Sequence, residues 1–151
     1  MTQKHAIGLD LDGVIVDHTS NKLAKAKELG YDLKPEDTAS GVLKSRMNYA
    51  DYSALKEWIY GPASLNAEVM RGARETIAAL AETYDLYIIS RRDIDDGGDT
   101  LGNAWLKKHG FFPYIPESNV FFVPHSVVGS KNTVATRLGI RAYMDDQQKI
   151  L

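Results

Sequence analysis

A chain of 151 residues, 44% hydrophobic and 25% charged, has the make-up of one globular domain long enough to bury a core. A net charge of −2 gives no ground for a bulk nucleic-acid or membrane partner, and the lack of cysteine excludes disulfides and thiolate metal sites. No apolar run reaches the roughly 18 residues of a membrane span, and Asp10 and Asp12 interrupt the one candidate leader core, so a cytoplasmic protein is expected.

The first strand is expected over residues 5–11, running into Asp10-Leu11-Asp12-Gly13-Val14. Val14-Ile15-Val16 reads as a short extended flap, and Asp17-His18-Thr19-Ser20 as a helix start capped by Thr19 or Ser20. Leu23, Ala26 and Leu29 follow at helical spacing, with Gly30 as the stop. Lys34-Pro35-Glu36-Asp37 opens a second helix, with proline at its first position. A third is expected over residues 50–60, where Tyr52, Leu55 and Ile59 share a face and Gly61-Pro62 ends it. Residues 18–66 thus read as a small helical cap, inserted between core segments 1–17 and 67–151.

Beyond Asn66 strand and helix alternate. Ala73, Ile77, Leu80 and Tyr84 mark a helix, and Leu86-Tyr87-Ile88-Ile89 a strand ending in Ser90-Arg91-Arg92. A polar loop from Asp93 to Asp99 leads to a helix with Leu101, Ala104 and Trp105, closed near Gly110. Residues 120–123 form a strand, a helix capped by Ser130 starts at Lys131, and a last strand over residues 140–144 ends in Asp145-Asp146. This alternation predicts βαβ units: an α/β fold with a parallel sheet and helices on both faces.

The chemistry-bearing residues fall at one rim. Asp10 and Asp12, Ser90, and Asp145 with Asp146 follow predicted strands, and Lys131 starts the helix after another; ligands bind at that edge of open α/β sheets. Buried strands do not end in paired carboxylates for packing reasons, since unpaired charge there is costly. A hard cation such as Mg²⁺ compensates, and Gly13 lets the backbone turn away. Carboxylates, a hydroxyl and a lysine together suit phosphoryl transfer: one carboxylate as nucleophile, another as acid and base, the donors on phosphate oxygens.

The ordered set Asp10-Leu11-Asp12-Gly13-Val14, Ile89-Ser90, Lys131 and Asp145-Asp146 resembles the haloacid dehalogenase-like (HAD) hydrolase superfamily across essentially the whole chain. Ile88 to Arg92, Thr100 to Leu106, and Lys107-Lys108-His109-Gly110 are similar to its small 5′-nucleotidase-like phosphatases. The resemblance implies a Rossmann-like core with a helical cap, Asp10 as nucleophile and Asp12 as general acid and base. It implies Mg²⁺ on Asp10, the Asp12 backbone carbonyl and Asp145, with Asp146 acting through water, and phosphate on Ser90 and Lys131. Arg91 joins these as a phosphate-binding candidate. Arg92, matching an arginine of similar proteins, and Lys44, Arg46 and Tyr49 in the insertion are candidates for substrate selection. Tyr52 and Trp58 either stack on a substrate ring or form the insertion's own core.

The expected activity is a Mg²⁺-dependent phosphomonoesterase acting on a small phosphorylated metabolite, a nucleotide among the candidates, through an aspartyl-phosphate. A phosphomutase and a silent phosphate-ligand-binding module are the alternatives. A receiver-type signalling domain is disfavoured, because its adjacent acid pair follows the first strand, whereas here Asp10-Leu11-Asp12 comes first and the acid pair last.

Overall fold

The computed structural model describes residues 2–93 and 97–146. Its centre is a four-stranded sheet in which β1 (His5–Leu9) lies between β4 (Tyr84–Arg91) and β6 (Ala142–Met144), with β5 (Val120–Val123) outside β4. Every pairing in it is parallel, and the register sets Leu9 opposite both Ile88 and Met144. The sheet is therefore the expected parallel one, with the carboxyl ends of its strands on one rim. The crossover helices are α4 (Ala73–Thr83), α5 (Gly98–Lys108) and α6 (Ser130–Arg137), of which α4 and α6 pack against β4. No described helix is long and apolar enough to cross a membrane.

β1 stops at Leu9, short of residue 11, because the chain turns at once. Gly13 has φ +84°, its N–H donates to the Val16 carbonyl at 2.9 Å, and an added Cβ would collide with the Asp146 carboxylate. Of the flap expected at Val14-Ile15-Val16, Val14 and Ile15 belong to the turn and Val16 alone is extended, in β2 (Val16–Asp17), which pairs antiparallel with β3 (Glu68–Val69) and brings the two ends of the insertion together. Tyr84 opens β4 instead of closing α4: its backbone is already extended. β4 also runs further than expected. It is flanked on both sides, so Ser90 and Arg91 still pair with Phe122 and Val123 and lie inside the strand, not past its end. Of the polar loop after it, residues 94–96 lie outside the described residues.

Between β2 and β3 the chain is helical: α1 (Thr19–Glu28), a 3-10 turn at Pro35–Thr38, α2 (Ser40–Arg46), α3 (Tyr49–Tyr60) and a 3-10 turn at Pro62–Asn66. Thr19 and Ser20 both lie within α1, so neither is its cap; Asp17 Oδ1 accepts the Thr19 N–H at 2.9 Å. The helix expected at Pro35 is a single turn. The Asp37 carboxylate accepts the Lys34 N–H, the Thr38 hydroxyl donates to the Pro35 carbonyl, and Ala39 is extended. Ser130 is likewise the first residue of α6, behind Gly129 at φ +75°.

The apolar residues divide in two. Leu9, Leu11, Ile15, Ile77, Leu86, Ile88, Trp105, Leu106 and Phe111 are among the buried members of the core around the sheet. Trp105 donates Nε1–H to the Ala67 carbonyl at 2.9 Å and stacks on Phe111, as a core residue. Ala26, Leu43, Met47, Leu55 and Ile59 form a separate cluster within the insertion, and Trp58 packs against it with Lys25 over its ring. Trp58 is thereby part of the insertion's own packing.

Candidate active site

At the carboxyl rim the end of β1, the end of β6 and the start of α6 converge. Carboxylate oxygens of Asp10, Asp145 and Asp146 all lie within 4.8 Å of one another. Lys131 reaches into this group from the first turn of α6, with Nζ 3.0 Å from Asp145 Oδ2 and 3.2 Å from Asp10 Oδ1. A lysine near a helix N-terminus opposes the helix dipole, and here the two carboxylates offset that. Tyr143 supports the lysine from below: its ring lies 5.5 Å from Nζ, and its hydroxyl donates to the Ile89 carbonyl at 2.6 Å. The ring occupies the space a Cβ at Gly8 would need, so β1 carries glycine there.

Burial, together with the negative charges of Asp145 and Asp12, outweighs Lys131 and pushes the Asp10 carboxyl up to about 7. Burial, a hydrogen bond with Asp145 and its charge raise Asp146 as well. Three crowded carboxylates facing one ammonium are short of positive charge. Their hard oxygen donors fit a divalent cation such as Mg²⁺.

Asp12 is in different company, although only two residues on. Arg92 donates Nε–H to Oδ2 at 3.0 Å and Nη2–H to Oδ1 at 2.7 Å, and His18 donates Nε2–H to Oδ1 at 2.7 Å. Burial alone would raise this carboxyl, but the charge and hydrogen bonds of Arg92 and the hydrogen bond of His18 hold it well below the usual range. Tyr60 lies edge-on to His18, with ring centroids 5.4 Å apart.

A cavity of about 900 Å³ opens above both carboxylates, between the sheet rim and the insertion. Ser90, Arg91 and Lys131 line it, and the Ser90 Oγ and Arg91 Nε are buried without a protein partner. Buried donors are rarely left unpaired, and these two belong to side chains of the cavity wall.

The structure thus brings Asp10, Asp12, Ser90, Arg91, Lys131 and Asp146 to one cavity, with Asp145 beneath it. The Asp12 side chain is outside the carboxylate cluster, because Arg92 and His18 occupy it. Of the candidates for substrate selection, Lys44 lines the cavity. Arg92 does not: it is 3% exposed and turned towards Asp12. Arg46 pairs with Asp37 at 3.2 Å instead, and Tyr49 is 86% exposed at the start of α3, outside the lining. Sequence reading missed the role of His18 and passed over Lys22, Lys56, Tyr60 and His125, all of which line the cavity. Nothing local marks them; the folding of the insertion brings in His18, Lys22, Lys56 and Tyr60, and His125 comes from the segment after β5. Lys22 is drawn in far enough that burial lowers its pKa against the pull of Asp146, Asp12 and Asp17, and its Nζ donates to the Thr38 carbonyl at 3.0 Å.

Comparison with solved structures agrees with this geometry at the level of fold. A haloacid dehalogenase-like family hydrolase from Streptococcus pneumoniae superposes with a TM-score of 0.65 and 15% identity, over 99% of this chain and 79% of that one. A class C acid phosphatase from Bacillus anthracis, solved with tungstate, gives 0.61 and 17% over 99% and 55%. A HAD-hydrolase from Bacillus subtilis bound to magnesium gives 0.53 and 14% over 99% and 92%. Against the curated proteins the sequence has no significant match. The family model described as 5′ nucleotidase, deoxy (Pyrimidine), cytosolic type C protein matches residues 4–148. The chain belongs to that family of HAD-like 5′-nucleotidases, and is a hydrolase of phosphoric monoester bonds.

Proposed function

We propose that the protein is a Mg²⁺-dependent phosphatase of small phosphomonoesters, nucleoside monophosphates first among them, working through an aspartyl-phosphate on Asp10. The observation that carries this is the divergence of Asp10 and Asp12. One carboxylate sits with Lys131 and the acid cluster, the other is fixed by Arg92 and His18, and both border one cavity. Two carboxylates with separated environments take separate roles.

In this reading the phosphate enters over Asp10, where Ser90 Oγ–H, Arg91 Nε–H and Lys131 Nζ–H donate to its non-bridging oxygens. Asp10 Oδ attacks phosphorus, the bond to the ester oxygen breaks, and that oxygen receives a proton from Asp12. Asp12 then takes a proton from a water, whose oxygen attacks phosphorus and releases inorganic phosphate, restoring Asp10. Arg92 and His18 keep Asp12 ionised in the free protein, its form as a base. Substrate binding brings negative charge beside Asp12 and raises its proton affinity; the proton it then takes up from solvent is the one it gives to the ester oxygen. Asp10, the Asp12 backbone carbonyl and Asp145 would hold Mg²⁺, with Asp146 behind them. The ion supplies positive charge that keeps Asp10 ionised and screens the phosphate from it.

The acid cluster supports the metal, and the family description supports the nucleotide and a cytosolic location. The test is hydrolysis of a panel of nucleotides, sugar phosphates and an aryl phosphate, with Mg²⁺ and with EDTA, for wild type and Asp10→Asn. Turnover that needs both metal and Asp10 is the expected result, with nucleotides hydrolysed best. Turnover unaffected by EDTA or by Asp10→Asn would refute it.

A further inference from the structure

The floor and the roof of the cavity carry opposite charge. Its core side presents Asp10, Asp12, Asp17 and Asp146, with Arg91 and Lys131 against them. A divalent cation makes up that difference. The insertion contributes three lysines and a single acid, Glu36; Lys22 is drawn towards Asp146, Asp12 and Asp17, which leaves Lys44 and Lys56 as the positive charge of the roof. This excess of positive charge in the roof occurs in a chain of net charge −2, and a cation bound below does nothing to balance it.

Two of these lysines converge. Lys44 from α2 and Lys56 from α3 each place Nζ 5.8 Å from the ring centroid of Tyr52, which lines the cavity beside them. Among the described residues neither has a carboxylate within ion-pair distance; the Asp93 carboxylate feels the charge of Lys56 but pairs with His125, at 3.2 Å. Like charges gathered on one side chain repel, and the face of an aromatic ring offsets this only in part. An anion between them removes the cost.

We infer that Lys44, Lys56 and Tyr52 form a second anion subsite, and that the preferred substrates are phosphomonoesters carrying a further anionic group away from the scissile phosphate. This rests on the phosphatase reading for the chemistry below, but the subsite itself is a matter of binding. A second phosphate, as in a nucleoside 3′,5′-bisphosphate, and a carboxylate, as in a phosphorylated hydroxy acid, share the required chemistry. Tyr52, which lines the cavity with them, offers either one a hydroxyl donor.

The experiment pairs each substrate with a relative whose scissile phosphate is its one anionic group: adenosine 3′,5′-bisphosphate with AMP, and 3-phosphoglycerate with glycerol 3-phosphate. kcat and KM are measured with Mg²⁺ for the full chain and for a Lys44→Gln/Lys56→Gln variant. Dissociation constants are measured in parallel by calorimetry on Asp10→Asn, with and without the two lysine substitutions. The expected result is a kcat/KM at least tenfold higher for one doubly anionic ester than for its relative. The lysine variant should erase that preference through KM, leaving the ester without a second anionic group within about twofold. Which pair shows it identifies the second anion as phosphate or carboxylate. Lysine-dependent tight binding without turnover of any ester would sustain the subsite and remove the phosphatase reading instead. Equal affinity for both members of both pairs, or equal loss for both in the lysine variant, would overturn the inference.

Discussion

Arg92 grips Asp12 with two parallel hydrogen bonds, Nε to Oδ2 at 3.0 Å and Nη2 to Oδ1 at 2.7 Å, across 80 residues of sequence. The fork fixes the plane of the carboxylate as well as its charge, which a lysine does not do. Arg92→Lys is expected to lower kcat by about 10²-fold with KM nearly unchanged, since misplacing a reacting group by an ångström costs that much. Arg92→Met leaves a buried carboxylate with His18 alone, and urea unfolding should show a loss of ~3–5 kcal/mol.

Asp10 makes the metal-free protein sensitive to pH. Its carboxyl, raised from 3.8 to about 7, keeps a proton in the folded chain where the unfolded chain has released it. Stability should therefore fall as pH rises from about 4 to about 7. Asp12 is shifted the opposite way, so its contribution is lost only at still lower pH, as pH falls below its unfolded value of 3.8. Mg²⁺ must displace the Asp10 proton, so the rise in Tm on adding it should be larger near pH 8 than near pH 5. Asp10→Asn should flatten the metal-free slope. A rise in Tm that is equal at both pH values would count against this placement of the ion.

Gly13 serves the turn and the acid cluster at once. Its φ of +84° costs a residue with a side chain roughly 1–2 kcal/mol, and a Cβ there would push the Asp146 carboxylate aside. Gly13→Ala should lower stability by at least that amount and weaken Mg²⁺ binding by about 10-fold, measured by calorimetry.

Trp105 ties the crossover helix α5 to the end of the insertion through its bond to the Ala67 carbonyl. Trp105→Phe keeps the aromatic packing but leaves that carbonyl without its partner. A loss of ~1–3 kcal/mol in urea unfolding is expected, with little change in kcat.

What the sequence makes legible is set by how local the cause is. Ala6 to Leu9, Ile88-Ile89 and Val120 to Val123 read as strands because their apolar runs are short and bounded, and the acids after the first and last strands mark the rim. Tyr84 sits at helical spacing from Ile77 and Leu80, so only its pairing with His5 shows that it belongs to the strand. Arg91 ends β4 and Arg92 follows it, yet Arg91 lines the cavity while Arg92 turns to Asp12; sequence alone does not say which meets the cavity. His18 is the same kind of case. Its partner is six residues away across the glycine turn, and its purpose depends on where Arg92 has already placed Asp12. The roof lysines are legible as helix residues and nothing more, because only the packing of α2 against α3 brings them to one ring.

The central claim is that Asp10 becomes phosphorylated during turnover. It is tested by quenching a single turnover in acid, reducing the protein with borohydride, and analysing the peptide containing residue 10 by mass spectrometry. An acyl phosphate is reduced to an alcohol by this treatment, whereas a free carboxylate survives. Reduction is expected at Asp10 alone, only when substrate and Mg²⁺ were both present. Full release of inorganic phosphate with Asp10 intact at every quench time would contradict it.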